Sequence, residues 1–424
     1  MRRIVFKSVV LIIIFILSIG YIFKRIFKRN RKVRIGLLDI EFFHKEAGGF
    51  GGYGKTAKNI TDYFGSNGKL INIEILLTRP SQKPTIKTIH NTNVILAPDA
   101  ESSNLINIFK YAYLLNNRRF DFLMTIEYCT DYQYTCFLQP KVSLIIWIHD
   151  PRPKECLEKI ATVSWEVLAE GKKSPEELKI HEQNVRSSIN KVISLSKLFN
   201  RKIIFATTAY FLIERAKRLY NLSDISPIVL PIPVSIPKLD KISYSSKPAV
   251  CFLARLDPIK RPWIFFELAR RFKDVDFLVA GKTNFPKIME PIIKRYNSLP
   301  NLKFLGFLDD EQKDKMFREV WALINTSIHE GLPVSFLECF AYGKPIISCQ
   351  NPDNLVEEFG IYTGEILGDG DDIHTIDIFA NALERFLSND KGRIEKGIAG
   401  REFVKENYSF NKFEEIIKKL IFEK

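Results

Sequence analysis

The segment "HEGLPVSFLECFAYGKP", residues 329–345, joins a strand-like run to a helix-like run through a short turn. The strand-like run is "WALINTS", residues 321–327, which stands directly before it. Pro333 suits the first turn of a helix, whose free N–H groups favour an anion. Glu330 precedes this helix and Glu338 lies inside it, so both carboxylates could accept hydrogen bonds from ligand hydroxyls. The segment therefore predicts a polar site at the carboxyl end of a strand.

Strand-like and helix-like runs alternate on both sides of this segment. The strand-like runs lie at 33–40, 71–77, 93–98, 121–128, 142–150 and 202–208, and then at 249–255, 276–281, 302–307, 321–327 and 345–349. Helix-like stretches separate several of them, at 54–64, 209–220, 261–272 and 287–297. Short apolar strands that alternate with amphipathic helices predict an α/β fold with parallel sheets.

A segment rich in proline and serine, "IVLPIPVSIPKLDKISYSSKP" at 228–248, interrupts the alternation and indicates a linker. A chain of 424 residues is also too long for one ordinary core. We therefore predict two Rossmann-like doubly wound domains, at 33–235 and 249–405, with a linker at 236–248 and a C-terminal helix at 406–424. Such sheets bind ligands outside the carboxyl ends of their strands, and two in tandem would place a cleft between them.

The basic excess of the chain is concentrated at its N-terminus. The formal net charge is +14, but residues 1–34 hold ten of the 63 Lys and Arg residues and no acid. The rest is close to charge balance, which argues against a nucleic-acid partner. Between these charges lies "SVVLIIIFILSIGYIF", residues 8–23, which predicts a single transmembrane helix within an anchor at 1–32. Seven basic residues follow this helix and three precede it, so we expect the catalytic domains in the cytoplasm.

The cysteines and the paired aspartates do not predict a metal site. No two of the six cysteines form a C-x-x-C pair, so we predict that they are free thiols of a protein in a reducing compartment. In "GDGDD", residues 368–372, Asp369 and Asp371 have the D-x-D spacing of metal-dependent transferases. An apolar periodic stretch follows directly, so we interpret these residues as a turn that caps a helix.

Two motifs in the second half resemble a known enzyme family. "ARLDPIKRP", residues 254–262, is followed some 70 residues later by E-G-L-P-x-S-x-L-E. This pair resembles the glycosyltransferases of family 4, with their two-domain GT-B fold and E-x7-E motif. The resemblance covers roughly 245–410 well and 33–240 loosely, and "NLKFLGFLDDEQ" at 301–312 matches the turn where that family holds the nucleotide base.

The resemblance implies roles for residues of the second domain. Glu330 would contact hydroxyls of the donor sugar, and Glu338 would hold the nucleotide ribose. Arg255 and Lys260 would hold the diphosphate leaving group, so that neither a metal nor another cofactor is needed. The segment that joins the two glutamates would contribute the donor-binding residues Gly331, Leu332 and Pro333. Many members of the family retain the anomeric configuration.

Two further elements lie in the first domain. The loop "GGFGGYGKT", residues 48–56, follows the first strand, and the resemblance implies that Gly51 and Gly52 face the donor phosphates. In "IIWIHDPRP", residues 145–153, the strand ends at His149 and Asp150, which we predict to be catalytic beside Glu330. By the resemblance, the histidine contacts the donor sugar near the reacting carbon.

These observations predict a membrane-anchored glycosyltransferase that moves a sugar from a nucleotide-sugar donor to a lipid-linked or surface-glycan acceptor. One alternative is a P-loop NTPase, because Gly49 to Thr56 also fit G-x-x-x-x-G-K-[ST]. Against it, "EFFHKEAG" separates the first strand from Gly49, and Asp150 is followed by Pro151 and not by a second acid. A catalytically inactive GT-B-like binding protein is the other alternative.

Overall fold

The computed structural model describes residues 32–42, 51–67, 70–81, 84–98, 105–171 and 173–422. The chain divides into two compact units, and each takes up more than one stretch of the sequence. The N-terminal unit runs to Pro151 and also takes up His181–Thr208 and Leu212–Leu230. The C-terminal unit consists of Arg152–Ile180, Ala209–Phe211 and the chain from Pro231 onward.

The N-terminal unit is built on an eight-stranded sheet with the order β3-β4-β2-β1-β5-β6-β7-β8. Its strands are β1 Val33–Asp39, β2 Ile71–Ser81, β3 Thr85–Ile89, β4 Thr92–Pro98, β5 Phe122–Ile126, β6 Ser143–Ile148, β7 Ile203–Thr207 and β8 Ile228–Val229. Its helices are α1 Gly52–Asn67, α2 Leu105–Arg118, α3 Tyr132–Leu138, most of the long α6 Pro175–Leu198, and α7 Leu212–Tyr220.

Burial of the strands on both faces explains the apolar runs of the N-terminal unit. The central strands β5 and β6 are buried over nearly their whole length, as expected of parallel strands covered by helices. Pairing is parallel throughout the sheet except at β3, which pairs antiparallel with β4. The sequence analysis did not predict β3, whose residues are mostly exposed and therefore lack a long apolar run.

The C-terminal unit has a six-stranded parallel sheet with the order β11-β10-β9-β12-β13-β14. Its strands are β9 Ala249–Leu253, β10 Asp276–Ala280, β11 Leu302–Gly306, β12 Ala322–Asn325, β13 Ile346–Ser348 and β14 Gly360–Tyr362. Its helices are α4 Lys154–Ile160, α5 Ser164–Glu170, α8 Pro262–Arg271, α9 Pro286–Lys294, α10 Asp310–Glu319, α11 Val334–Ala341, α12 Leu355–Phe359, α13 Ile373–Ser388, α14 Asp390–Asn407 and α15 Phe410–Phe422.

The predicted α/β class with two largely parallel sheets is confirmed, while the division of the chain differs in detail. The N-terminal unit ends at Leu230, close to the predicted boundary at 235. Residues 152–180 and 209–211 belong to the C-terminal unit, although the sequence analysis placed them in the first domain. Proximity along the chain misled that prediction, because Ile160 of α4 and Val163, the N-cap of α5, are part of the core of the C-terminal unit.

The predicted anchor at 1–32 lies almost wholly outside the described residues. Among the residues that the structure does describe, no helix is both long and apolar enough to span a bilayer. The same residues contain no group of three or more His, Cys, Asp or Glu side chains that could hold a metal ion. All six cysteines are free thiols, and five of them are buried.

The segment "GDGDD" leads into a helix that one of its aspartates caps. Asp372 is the N-cap of α13, and its carboxylate accepts a hydrogen bond from the backbone N–H of Thr375 at 2.9 Å. The carboxylate of Asp369 accepts a hydrogen bond from the backbone N–H of Ser164 at 2.9 Å within the same unit. The capping aspartate is therefore Asp372, and Asp369 of the D-x-D pair makes a loop contact.

Candidate functional site

Two loops that carry predicted site residues lie side by side at the carboxyl edge of the C-terminal sheet. Strands β9 and β12 are parallel neighbours, with Val250 opposite Ala322 and Cys251 opposite Leu323. The loop after β9 therefore leaves the sheet beside the loop after β12. The first loop carries Arg255 and Lys260, and the second carries Glu330.

The loop after β9 places one exposed and one largely buried cation at this edge. The side chain of Arg255 is 51% exposed, and its Nη1 lies 2.9 Å from Oδ2 of the buried Asp257. Asp257 also accepts a hydrogen bond at 2.8 Å from the backbone N–H of Asn284, so it joins this loop to the one after β10. Lys260 ends a short 3₁₀ turn, and its side chain is only 15% exposed.

Lys260 forms an ion pair with Glu330. The Nζ of Lys260 lies 2.7 Å from Oε1 of Glu330, whose side chain is 12% exposed. The side-chain amide of Asn325, at the end of β12, donates to the same oxygen at 3.3 Å. The carbonyl oxygen of that amide accepts from the Ser348 hydroxyl at 3.1 Å, which fixes its orientation. One predicted cation and one predicted carboxylate are thus brought into direct contact.

The second predicted carboxylate, Glu338, is also paired with a lysine. Lys313 on α10 forms an ion pair with Glu338 on α11, and the two side chains are 16% and 18% exposed. The neighbours of Glu338 on α11 are buried, including Leu337 and Cys339, so the helix is not a solvated surface helix. Glu338 therefore lies on the part of α11 that solvent reaches.

The segment between the two glutamates forms a turn that leads into α11. Pro333 is the N-cap residue, so the helix begins at Val334. Leu332 is buried, with 6% of its side chain exposed, and Gly331 is buried beside it.

A buried arginine donates hydrogen bonds to the backbone of the loop after β12. Arg261 is fully buried, and its guanidinium donates to the backbone carbonyls of Thr326 at 2.8 Å, Ile366 at 3.0 Å and Gly368 at 2.9 Å. Gln350 donates to the carbonyls of Ser327 and Ile328 at 3.0 and 3.1 Å. These bonds satisfy carbonyls of an irregular buried segment that has no strand partner there. They fix the backbone that carries Glu330.

In the N-terminal unit, His149 and Asp150 follow β6 as predicted, and His149 is buried. The side chain of His149 is 4% exposed and lies between two aromatic rings, with ring centroids 4.2 Å from Trp147 and 5.5 Å from Tyr53. Burial lowers the pKa of His149 to about 3, against a smaller opposing effect of Asp150. The imidazole is therefore neutral at physiological pH, and its Nε2 has no hydrogen-bond partner among the described residues.

The glycine segment leads into α1, which begins at Gly52. A Cβ at Gly51 would lie 2.1 Å from Oε2 of Glu41, whereas one at Gly52 would meet nothing within 4 Å. Gly54, Lys55 and Thr56 all lie inside the helix, where the backbone N–H of Lys55 donates to the carbonyl of Gly51 at 3.1 Å. Gly49 and Phe50, which the P-loop alternative also needs, lie outside the described residues.

This geometry does not favour the P-loop alternative. In a P-loop, backbone N–H groups of the loop cradle the phosphates, and the Ser or Thr hydroxyl binds Mg²⁺. Here the N–H of Lys55 is used within α1, and the Thr56 hydroxyl donates to the carbonyl of Gly52 at 2.9 Å. Thr56 is also buried, with 2% of its side chain exposed.

Several residues of these clusters were missed by the sequence analysis. Asn325 and Lys313 reach Glu330 and Glu338 from a neighbouring strand end and helix, contacts that no sequence spacing indicates. Arg261 stands within the "KRP" of the quoted motif, but only the fold shows that it is buried. The carboxylate of Glu127 binds the turn after β6 and lies more than twenty residues before it in the chain.

Comparison with known families gives a match in the second half of the chain. Residues 238–403 match the family described as "Glycosyl transferases group 1". The matched part of the chain carries Arg255, Lys260, Glu330 and Glu338. Over 131 residues the chain is 28% identical to the alpha-1,3/1,6-mannosyltransferase ALG2 of Dictyostelium discoideum. That match covers 30% of this chain and 30% of the relative.

Solved structures of the same fold cover nearly the whole chain. Sucrose-phosphate synthase from Thermosynechococcus elongatus has a TM-score of 0.64 at 13% identity, over 92% of this chain and 98% of that one. Anabaena Alr3699/HepE in complex with UDP and glucose has a TM-score of 0.63 at 12% identity, over 92% of this chain and 100% of that one. Likeness at such low identity shows the fold alone, which is a GT-B-like fold with two α/β units.

The buried state of His149 predicts a specific pH dependence of stability. Its pKa is about 3 in the folded protein, against about 6.5 in an unfolded chain. As pH falls below about 6.5, the unfolded chain binds a proton that folded His149 does not, so the free energy of unfolding falls. We expect His149→Gln to weaken this dependence between pH 7 and 4, by up to about 1.4 kcal/mol per pH unit.

Denaturant unfolding at a series of pH values measures this slope. His374→Gln is the matched control, because His374 is exposed. Equal slopes for wild-type protein and the His149 variant would contradict the assignment of a neutral buried imidazole.

Proposed function

We propose that the protein is a glycosyltransferase that uses a nucleotide-sugar donor. The observation that carries the proposal is the pair of lysine–carboxylate contacts, Lys260 with Glu330 and Lys313 with Glu338, on the solvent-accessible carboxyl side of a glycosyl transferases group 1 domain. A nucleotide sugar presents phosphates and hydroxyls within one ligand. Cations and carboxylates held next to each other can bind both kinds of group.

The leaving diphosphate is assigned to Arg255 and Lys260. Negative charge builds up on this group as the glycosidic bond breaks, so cations held in place at that point lower the barrier. Arg255 is half exposed and able to reach a ligand. Lys260 is paired with Glu330, so its positive charge would be shared between Glu330 and the diphosphate. Because two side chains supply this charge, we propose that transfer needs no metal ion and no other cofactor.

The two glutamates are assigned to hydroxyl groups. A diphosphate would take part of the Lys260 charge, and the Glu330 carboxylate would then accept hydrogen bonds from hydroxyls of the donor sugar. Glu338 has two carboxylate oxygens, of which Lys313 contacts Oε1, and we assign it to the nucleotide ribose. Phe307, half exposed just after β11, lies in the segment whose resemblance implies a contact with the nucleotide base.

His149 and Asp150 are proposed to act at the donor sugar together with Glu330. Cleavage of a glycosidic bond builds positive charge on the sugar ring. A neutral imidazole can hydrogen-bond to the sugar without repelling that charge, and burial keeps His149 neutral. Gly51 and Gly52 are proposed to face the donor phosphates, and Gly331, Leu332 and Pro333 to shape the donor pocket. We propose retention of the anomeric configuration on the basis of the E-x7-E resemblance.

The acceptor and the location are proposed from the N-terminal sequence. The apolar run at 8–23 with basic residues on both sides supports a single-pass anchor with the catalytic units in the cytoplasm. An enzyme held at a membrane meets acceptors that are lipids, lipid-linked saccharides or growing surface glycans. We therefore propose an acceptor of this membrane-associated class.

A panel of nucleotide sugars tests the proposed reaction. We expect purified protein to release nucleoside diphosphate from at least one donor, with activity that persists in EDTA and is reduced only a few-fold by Lys55→Ala. The reason is that Lys55 lies inside α1 and is not part of a phosphate loop. Mg²⁺-dependent hydrolysis of ATP or GTP that Lys55→Ala abolishes would establish the P-loop alternative instead.

Glu338→Ala tests the assignment of the ribose. Loss of a charge-assisted hydrogen bond should weaken binding of the nucleoside diphosphate by about 1.5–3 kcal/mol, measured by titration calorimetry. Glu311→Ala on the neighbouring helix α10 is the control, because Glu311 is exposed. Unchanged affinity in a folded Glu338 variant would refute the assignment.

Gly52→Val tests the contact of the glycine segment with the donor. A Cβ at Gly52 meets no atom within 4 Å, so the variant should fold. Added methyl groups should nevertheless exclude the donor diphosphate and lower turnover at least 100-fold. Gly65→Val, in the same helix and with the same open surroundings, is the matched control. Equal turnover in the two variants would show that the glycine segment does not approach the donor.

A further inference from the structure

Glu127 has an unusual backbone conformation beside the proposed catalytic residues of the N-terminal unit. It directly follows β5, and its φ of +58° lies in the left-handed region, which a residue with a long side chain rarely occupies. Nine non-glycine residues in the described part of the chain have positive φ, and six of these are His, Asn or Asp. Glu127 is the only glutamate among them. Such a conformation persists only where the surroundings hold it in place.

The carboxylate of Glu127 accepts four hydrogen bonds. Its Oε2 accepts from the backbone N–H groups of His149 at 2.9 Å and Asp150 at 2.6 Å. Its Oε1 accepts from the backbone N–H of Tyr128 at 3.0 Å and from the Tyr220 hydroxyl at 2.9 Å. Burial raises the pKa of Glu127, and the two N–H groups after β6 are among the contacts that oppose this rise.

The hydrogen bonds of Glu127 replace strand pairing at the point where β5 and β6 stop pairing. Strands β5 and β6 pair up to Ile126 and Trp147, and the backbone N–H groups of the two residues after β6 donate to the Glu127 carboxylate and not to a carbonyl of β5. Glu127 turns its backbone out of the strand and offers one carboxylate oxygen to two consecutive N–H groups. The turn that carries His149 and Asp150 is therefore held by this side chain.

The arrangement requires a carboxylate and not only a side chain of that shape. Three of the four partners are backbone N–H groups, which can only donate. Glutamine has nearly the same shape, but its amide would direct an NH₂ group at one of the two positions. An NH₂ group in place of Oε2 would face the N–H groups of His149 and Asp150, and one in place of Oε1 would face the N–H of Tyr128. In either orientation, donor would face donor.

We propose that Glu127 is a positioning residue for sugar transfer, which acts by holding the backbone of His149 and Asp150. This inference rests on the proposed function, since it assumes that these two residues contact the donor sugar. Glu127 itself does not touch the substrate. Loss of the Glu127 carboxylate would displace His149 from its position between the rings of Trp147 and Tyr53.

A double-mutant cycle tests the proposal. We expect Glu127→Gln to lower kcat about 10–100-fold while the donor KM changes less than about 3-fold, because orientation matters more in the transition state than in binding. In a His149→Ala background the same change should lower kcat less than about 3-fold further. Full additivity of the two losses would overturn the proposal, since Glu127 would then act independently of His149.

Glu74→Gln is the matched control for this cycle. Glu74 is a buried carboxylate of the same unit that pairs with Arg118 at 3.0 Å and with Arg34, and it lies on β2 and not at the turn after β6. Its loss should lower stability without changing kcat. An equal loss of kcat in both glutamine variants would mean that Glu127 acts through stability alone, which would overturn the proposal.

A readout that needs no activity separates this inference from the proposed function. NMR of histidine-labelled protein should show a shifted or split His149 resonance in Glu127→Gln and an unchanged one in Glu74→Gln. If Glu127→Gln does not fold, Tyr220→Phe removes one of the four donors and should shift the same resonance more weakly. An unshifted His149 resonance would overturn the proposal. A shifted resonance in a protein that transfers sugar from no donor would refute the proposed function instead.

Discussion

Parallel pairing of the strands is the constraint on which the candidate site depends. In the C-terminal sheet all five pairings are parallel, so every strand ends at the same edge and its loop leaves there. Residues seventy positions apart in the chain, such as Lys260 and Glu330, come within 2.7 Å because β9 and β12 are neighbours in that sheet. Without this pairing the two motifs would be unrelated surface loops.

Charge is handled differently in the two units. In the C-terminal unit each proposed carboxylate has a lysine partner, and these pairs keep some contact with solvent. In the N-terminal unit the carboxylate of Glu127 accepts hydrogen bonds from N–H and O–H donors. His149 stays neutral because burial lowers its pKa. Both arrangements meet the requirement that a buried polar group be compensated or neutral.

The sequence predicted the elements well and the contacts between distant elements poorly. Buried strands such as β6 and β10 are recognisable because their apolar runs reflect burial on both faces. The exposed edge strand β3 and the assignment of 152–180 to the second unit depend on tertiary packing, which leaves no periodic signal. For the same reason Glu330 and Glu338 stood out by their spacing, whereas Asn325, Lys313 and Glu127 became visible only as neighbours in space.

The ion pair between Lys260 and Glu330 also bears on selectivity. With its charge already balanced, Lys260 gains little from inorganic phosphate, because that anion would compete with the carboxylate of Glu330 for the same positive charge. A ligand that presents a diphosphate and sugar hydroxyls together satisfies both members of the pair at once. Under the proposed function the site would therefore discriminate against the abundant free anions of the cell, and it would do so without excluding them sterically.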